Sequence, residues 1–264
     1  MRKLICCSVS VMVVVILFAF PIGTAQAGKC ELQAFDKDNF NVQEDNDYFP
    51  KSIGETYVYE AETEDGLDRD YIYFSPVTID ILGVACTVVH DVEWLWVEDL
   101  NAWVKLEETE DYHAWDYLGN FWYFGEATKA YNYDDDWNLE DPPYSEEGSW
   151  MADEGDNQPG IILLAEPHPG ECVQQESAPD VAEDMGKVLR LNAKVSVTYG
   201  DYDNCEMTKE WSPLERGDIE HKYYAPGVGL VYIKELKEKT VTYELVDINN
   251  STEGIFSEPA EPPL

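Results

Sequence analysis

The chain has 264 residues and is strongly acidic, with 54 Asp and Glu against 17 Lys and Arg, and its formal net charge at pH 7 is −37. Such a charge repels nucleic acid and anionic membrane surfaces, so neither is expected as a partner. Aromatic residues make up 13% of the chain. Because a disordered polyanion would not carry that much apolar ring area, the composition predicts a packed core.

The first 27 residues have the pattern of a secretory signal peptide. Basic residues at positions 2–3 precede an apolar run over 4–20 and the small-x-small sequence Ala25-Gln26-Ala27. The alternative is an uncleaved membrane anchor, for which the run is short. Lipid attachment at Cys30 is disfavoured, because a lysine precedes it. We expect cleavage near Ala27, no stable membrane anchor, and an extracytoplasmic protein, periplasmic or secreted.

The remainder of the chain is predicted to be almost entirely β. Residues 28–52 form an irregular acidic lead-in, 53–248 a single antiparallel β domain, and 249–264 a disordered tail. Within the domain, Val84 to Trp96 alternates with a period of two. Later strands are predicted at 187–198, 205–211, 218–225, 229–235 and 240–248. A turn or two of helix over 178–185 is the main exception.

The segment 132–160 is acidic and rich in Pro and Gly, and is predicted to be a long loop. Asp134, Asp136 and Asn138 match the first three ligand positions of a calcium loop, and Asp141 could add a fourth. Leu139 replaces the glycine that an EF-hand requires, so that motif is excluded. Calcium at a generic loop and a merely solvated acidic loop remain the two alternatives, and no other cofactor is predicted.

Four cysteines follow the predicted signal peptide. They are Cys30, Cys86, Cys172 and Cys205. An even count in an oxidising compartment indicates two disulfides, for which the residues alone allow three pairings. No CxxC spacing occurs and the four histidines are scattered, so a zinc site is not expected.

Paired carboxylates for glycoside hydrolysis could come from several acidic residues. The candidates are Asp111, Asp116, Glu126, Glu176 and Glu210. With so many acidic residues, some pair reaches the right separation by chance in any fold. No nucleophile elbow of the Gly-x-Ser-x-Gly type is present. No catalytic residue is therefore assigned, and a non-enzymatic protein is favoured over an enzyme.

Aromatic residues and one histidine are the candidates for ligand binding. They are Trp122, Tyr123, Trp150, His221 and Tyr223. If they line a concave face, they would suit an apolar or sugar ligand. The alternative is that the rings fill the core and that the histidine is a hydrogen-bonded packing residue.

Several stretches together resemble a family of secreted bacterial proteins of uncharacterised function. They are GVACTVV (83–89), GNFWYFGE (119–126), GSW (148–150), PGI (159–161), PGECVQQE (169–176), AEDM (182–185) and the closing segment 208–235 with KYYAPGVGLV (222–231). The final hairpins also resemble secreted proteins with a lipoprotein-carrier-like half-barrel. The resemblance implies a single large curved antiparallel sheet, a half-barrel-like meander with long acidic loops and little helix. It implies no catalytic residues.

The chain departs from the family pattern at several positions. His113 and Cys172 stand where the pattern has Tyr, and Cys30 is an addition. Two unusual cysteines together imply a private disulfide between Cys30 and Cys172. Cys86 and Cys205 both lie in predicted core strands and are expected to form the second disulfide.

These observations lead to three hypotheses of function. The first is a secreted binding or interaction protein with an unknown ligand or protein partner, its ligand apolar and held on a concave aromatic face. The second is a carboxylate-dependent glycoside hydrolase. The third is a calcium-stabilised acidic surface or matrix protein.

Overall fold

The computed structural model describes residues 30–236 and 240–262. The predicted signal peptide and its cleavage site lie outside the described residues. Within these two ranges, no helix is long and apolar enough to cross a membrane.

Fifteen strands and one short 3-10 helix, Lys37–Phe40, make up the regular structure of the described ranges. The strands are β1 Thr56–Glu62, β2 Leu67–Ile81, β3 Val84–Val97, β4 Ala102–Trp115, β5 Phe121–Tyr133, β6 Leu139–Ser145, β7 Trp150–Met151, β8 Gln158–Leu163, β9 Cys172–Gln174, β10 Glu176–Ser177, β11 Met185–Val197, β12 Gly200–Trp211, β13 Glu220–Ala225, β14 Gly229–Glu235 and β15 Val241–Asn249. Val, Ile, Thr and aromatic residues dominate the long strands, as their β propensity predicts.

All the strands belong to one antiparallel sheet, in the order β10-β8-β5-β4-β3-β2-β1-β15-β14-β13-β12-β11-β9, with β6 and β7 also paired to β5. The first and last strands therefore meet in the middle of the sheet. Segment 172–177 contributes a strand to each edge, so the two edges approach each other without closing. Near these edges, the backbone of Gly160 in β8 lies so close to Gln175 that a Cβ on residue 160 would be 2.3 Å from the carbonyl oxygen of Gln175, so only glycine fits there. The prediction of one large curved antiparallel sheet with little helix is confirmed.

Two local predictions differ from the structure. Segment 132–160, predicted to be a loop, contains β6 and β7 and the start of β8. Both β6 and β7 hydrogen-bond to β5, because the long β5 offers partners along that edge. Residues 178–185 form no helix. Ala178 and Ala182 instead face each other in an isolated β-bridge.

The lead-in covers the outer face of the sheet and closes one end of its interior. Phe35 and Phe40 pack on the outward-facing rings of Trp122 and Phe124, with ring centroids 5.5–6.4 Å apart. Further along, Phe49 stacks on Phe121 at 4.0 Å, on the opposite face of β5. The irregular segment is thus part of the core rather than a solvated arm.

The C-terminal tail lies along the outer face of β2–β4, whereas the sequence predicted disorder. The indole Nε1 of Trp94 donates to the carbonyl oxygen of Gly254 at 2.7 Å, and that of Trp103 to the carbonyl oxygen of Ala260 at 2.9 Å. Ile255 is 4% exposed. Two buried indole N–H groups need acceptors, and the tail supplies them.

One of the two predicted disulfides is present. Cys30 and Cys172 are bonded and tie the start of the lead-in to β9. The predicted bond between Cys86 and Cys205 is not formed, and both remain buried free thiols. Cys86 belongs to the buried cluster under the lead-in, whereas Cys205 belongs to a different cluster with Tyr57 and Leu245. Placement in core strands alone did not show that the two lie in separate clusters.

Candidate functional site

The inner face of strands β2–β5 carries carboxyl groups at successive positions. Directly opposite pairs share one face of a sheet. By that rule Asp70 lies beside Glu93, Glu93 beside Glu107, and Asp111 beside Glu126. Carboxyl groups of later elements face them across the curve of the sheet. We call the whole set the acidic interior: Asp68, Asp70, Asp91, Glu93, Glu107, Asp111, Glu126, Glu176, Asp184, Glu210, Glu220 and Glu235.

Lys222 of β13 places an ammonium group within this interior. Its Nζ lies 3.1 Å from Glu210 Oε2 and 3.3 Å from Glu220 Oε2, and the residue is 7% exposed. Burial alone would lower the pKa of Lys222, but Glu210 and Glu220 outweigh burial and hold that pKa well above its usual value. Thr208 and Tyr224 donate to the other oxygen of Glu210, at 2.7 and 3.0 Å. The ammonium is therefore fixed in place.

The charge of Lys222 also acts on groups that are distant in the sheet order. Burial raises the pKa values of Asp91, Asp111 and Glu176 well above their ordinary values. The positive charge of Lys222 offsets a part of that rise. These residues lie on β3, β4 and β10, none of which pairs with β13. The curvature of the sheet thus brings its two halves within electrostatic range around a shared interior.

Carboxyl groups in the interior are paired with each other. Asp70 and Asp91 are hydrogen-bonded through their side chains, and burial, the largest influence, raises the pKa of Asp70 to about 7. Asp68 is bonded in the same way to Glu93, and burial raises its pKa to about 6. Two carboxyl groups in contact must share a proton. As residues, Asp70, Asp91 and Asp111 keep some accessible surface, although the Oδ1 atom of Asp70 is buried.

Tyr123 bridges two of the carboxyl groups. Its hydroxyl contacts Asp111 Oδ1 and lies 2.9 Å from Glu126 Oε2. A phenol has a single hydrogen, so the Tyr123 hydroxyl can donate fully to only one of these two carboxyl groups at a time. Burial, followed by the charge of Asp91, raises the pKa of Asp111 well above its ordinary value. Both influences favour the protonated form of Asp111.

Trp150 lies beside this bridge. It is opposite Glu126 in the pairing of β7 with β5, and its ring meets that of Tyr123 edge-on at 5.5 Å. Trp150 is 2% exposed, and its Nε1 has no hydrogen-bond acceptor among the residues that the structure describes. Buried indole N–H groups normally have a partner.

Glu206 of β12 lies opposite Tyr224 of β13, on the same face of the sheet as Lys222. It is fully buried, and neither carboxyl oxygen has a hydrogen-bond partner within residues 30–236 and 240–262. Burial, then the charges of Glu210 and Glu171, raises its pKa to about 8. The side chain is therefore neutral in the folded protein at pH 7.

The five residues predicted to bind a ligand do not form one site. Tyr123 and Trp150 lie in the interior. Trp122 lies on the outer face, where its Nε1 donates to Asp116 Oδ2 at 3.0 Å. His221 and Tyr223 lie on the side of β13 away from Lys222, and both are partly exposed. Period-two alternation separates neighbouring residues in this way.

The predicted carboxylates separate into three kinds. Asp116 is structural, since it accepts hydrogen bonds from the backbone N–H groups of Leu118 and Asn120 in a turn. Glu210 pairs with Lys222. Asp111, Glu126 and Glu176 come together: Tyr123 contacts the first two, and after burial the charges of Glu126 and Asp111 help to raise the pKa of Glu176.

The acidic loop of the calcium hypothesis closes on itself. Asp134 Oδ1 accepts hydrogen bonds from the backbone N–H groups of Asp136 and Asn138, at 2.9 and 2.8 Å. Asp141 is an exposed residue of β6. Within the described ranges, no group of three or more His, Cys, Asp or Glu side chains is arranged to hold a metal ion.

Sequence reasoning missed the residues that make the interior acidic, among them Asp70, Asp91, Glu107 and Lys222. A signal was present. Asp68 and Asp70, Asp91 and Glu93, and Glu107 and Asp111 are pairs spaced two or four residues apart, so each pair shares a parity, and the three pairs lie on the consecutive strands β2, β3 and β4. Aligned across a sheet, that parity places them on one face.

Comparisons with known proteins give similarity to two solved structures. One is a presumed exported protein with a YmcC-like fold from Bacteroides fragilis, 14% identical, with a TM-score of 0.36, covering 76% of this chain and 98% of that chain. The other is a presumed lipoprotein from Parabacteroides distasonis, 11% identical, with a TM-score of 0.40, covering 78% of this chain and all of the other. Neither a protein-family model nor a curated protein matches the chain.

Proposed function

We propose that the chain is an extracytoplasmic, non-enzymatic binding protein that holds a cationic ligand in its acidic interior. The observation that carries this proposal is Lys222, an ammonium group held between Glu210 and Glu220 inside the sheet. It indicates that the interior stabilises a buried ammonium. Asp70, Asp91 and Asp111 lie within the same interior and keep some accessible surface, and Asp70 and Asp91 are hydrogen-bonded to each other.

The chemistry of the inner face favours a cation over the apolar ligand that the aromatic residues suggested. An apolar molecule next to these carboxyl groups would remove their hydration without replacing it, which is costly. An ammonium offers three N–H donors and a positive charge. At the apolar end of the interior, Phe49, Pro50, Tyr57 and Phe74 line a small cavity of about 20 Å³, which has room for one or two water molecules and not for a larger apolar ligand.

Thermal shift measurements with n-butylamine and putrescine test the proposal, since both carry the ammonium and alkyl chain of a lysine. We expect both amines to raise the melting temperature above that in sodium chloride of equal ionic strength. The double variant Asp91→Asn with Asp111→Asn should lose the increment. The variant Asp134→Asn with Asp136→Asn removes the same charge from an exposed loop and should keep it. Equal melting temperatures in amine and sodium would refute the proposal.

Glycoside hydrolysis is a second candidate, which the bridge at Tyr123 favours. Two oxygens hydrogen-bonded to one hydroxyl lie within about 5–6 Å of each other. Retaining glycosidases hold their carboxyl groups about 5–5.5 Å apart, and inverting ones about 6.5–9.5 Å. This upper limit excludes the separation of an inverting enzyme for these two oxygens and allows that of a retaining one. Release of reducing sugar from a glycan panel, lost in Glu126→Gln, would support hydrolysis; no release from any glycan would exclude it for that panel.

A further inference from the structure

We propose that the site formed by Asp111, Tyr123, Glu126 and Trp150 binds an ammonium group that carries an oxygen acceptor beside it, as an amino sugar does, and that this ammonium replaces a proton. The inference rests on the proposed function and names the ligand class for one part of the interior. Each element of the ligand is deduced from a separate feature of the site.

The ammonium is deduced from the bridge. Tyr123 contacts two carboxyl groups and has one hydrogen to donate. Both contacts are satisfied at once when one carboxyl group is protonated and donates to the phenol oxygen, and the site would then hold one more proton than two carboxylates and a phenol. An ammonium can donate to both carboxylates at once, after which the extra proton has no role. Binding then follows a balanced exchange, in which one ammonium ion enters and one proton leaves.

The neighbouring oxygen acceptor is deduced from Trp150. Its Nε1–H is buried and has no acceptor among the described residues, although its ring touches Tyr123 and its strand pairs with Glu126. A buried indole N–H without an acceptor is destabilising. A ligand hydroxyl or ether oxygen next to the ammonium would accept from it, whereas an alkylamine would not.

Charged groups on four strands act on the bridge or on the residues next to it. Asp91 of β3, Glu107 of β4, Glu176 of β10 and Lys222 of β13 all act on Asp111 or on its neighbours. Three of these are acidic, so the local field attracts a cation. Lys222 opposes it but is neutralised by Glu210 and Glu220. Asp111 itself is partly exposed and marks the side from which a ligand would enter.

Three probes of similar size separate the two requirements. Glucosamine carries the ammonium and adjacent oxygens, cyclohexylamine carries only the ammonium, and glucose carries only the oxygens. We expect glucosamine to shift the indole N–H resonance of Trp150 in a ¹⁵N-labelled sample, with Trp150→Phe providing the assignment. Cyclohexylamine should bind without that shift, and glucose should do neither.

Proton exchange is measured directly with glucosamine in a pH-stat. We expect release of close to one proton per glucosamine bound, and an affinity that rises up to about tenfold per pH unit while the site remains protonated. Glu126→Gln and Tyr123→Phe should abolish the release. Glu110→Gln, an exposed position on the same β4 strand as Asp111, is the matched control and should preserve it.

The failures of the two proposals are distinguishable. If glucosamine and cyclohexylamine both bind with no Trp150 shift and no proton release, this inference is wrong and cation binding by the interior stands. If glucosamine, cyclohexylamine, n-butylamine and putrescine all fail to bind, both proposals are wrong. Equal shifts of the Trp150 resonance with glucose and glucosamine would also overturn the ammonium requirement.

Discussion

Glu206 is a carboxyl group whose surroundings favour its neutral form, and several interior residues share that property. Burial raises the pKa of Glu206 to about 8, that of Asp70 to about 7, and that of Asp184 to about 6. In the unfolded chain such groups titrate near pH 4. Their contribution to stability is therefore fully present below about pH 4 and is lost as the pH rises through the folded values.

We predict that the melting temperature falls as the pH rises from 5 to 8. The unfolded state loses its protons first, so the free energy of unfolding decreases with pH. Glu206→Gln keeps the shape of a neutral carboxyl and should flatten this dependence, with a gain on the order of 2–5 kcal/mol above pH 8. Thermal scans of both proteins across this range, at fixed ionic strength, check the result. A wild-type melting temperature that rises towards pH 8 would contradict the assignment.

His113 acts in the opposite direction. It is enclosed between Phe121 and Tyr123, and burial lowers its pKa to about 3. The contribution of the neutral His113 imidazole to the free energy of unfolding is present above pH 6.5 and is lost as the pH falls towards its pKa in the folded protein. One imidazole against several carboxyl groups leaves the downward trend from pH 5 to 8 in place.

Lys222 provides a second prediction at the level of single residues. Lys222→Met removes the ammonium and leaves Glu210 and Glu220 without their cation, which should destabilise the fold by about 3–5 kcal/mol at pH 7. The loss should shrink at pH 5, where the carboxyl groups can take up protons. Lys209→Met on the neighbouring strand β12 is the control, because the ammonium group of Lys209 lies over the ring of Trp211 and not between two carboxylates. Urea unfolding at both pH values measures the difference, and equal losses at the two positions would contradict it.

Among the elements, the C-terminal tail depends on one glycine. Gly254 has a φ of +82°, and an added Cβ would lie 2.5 Å from the ring of Tyr71. Gly254→Ala should therefore detach the tail and expose Trp94 and Trp103. Gly217→Ala has a similar φ of +101° but no heavy atom within 4 Å of the added Cβ, so it isolates the backbone strain.

We predict faster proteolysis after residue 250 in Gly254→Ala than in Gly217→Ala, together with a red shift of tryptophan emission. Limited digestion followed by intact-mass analysis reads the first, and fluorescence reads the second. Unchanged digestion of the tail in both variants would show that these contacts do not hold it.

Alternation in the sequence predicted the strands and the residues that share a face of each strand. It did not predict which of the two faces lies inside the curve of the sheet. Val88, Val92 and Trp94 of β3 were correctly placed on one face by their spacing. That face is the outer one, and it is apolar because the lead-in and the tail cover it. The opposite face holds Asp91 and Glu93, which alternation alone would assign to solvent.

For the molecule as a whole, the class of fold followed from composition and strand rhythm. The candidate site did not, because it depends on how strands distant in sequence meet. Lys222 and Asp111 approach each other only because the sheet curves, and no local pattern encodes that approach. Tyr123 and Trp150 were singled out as aromatic residues, but their carboxyl neighbours became informative only through the pairing of β4, β5 and β7.

The net charge leads to a prediction for the entire molecule. A formal charge of −37 makes the folded state repel itself, and salt screens that repulsion. We expect the melting temperature to rise between low and high sodium chloride. A further increment with calcium, relative to magnesium and sodium at equal ionic strength and lost in Asp134→Ala with Asp136→Ala, would support the calcium loop. A melting temperature insensitive to sodium chloride would contradict the charge argument.

The pairing of β1 with β15 has a consequence for how the protein is made. Strand β1 finds one of its two neighbours only after almost the whole chain has been synthesised. Contacts so distant in sequence slow folding, because a long loop must close before they contribute. A growing chain therefore cannot complete its sheet during synthesis. We expect it to stay loosely structured until its last strand is available, a state suited to passage through a narrow export channel.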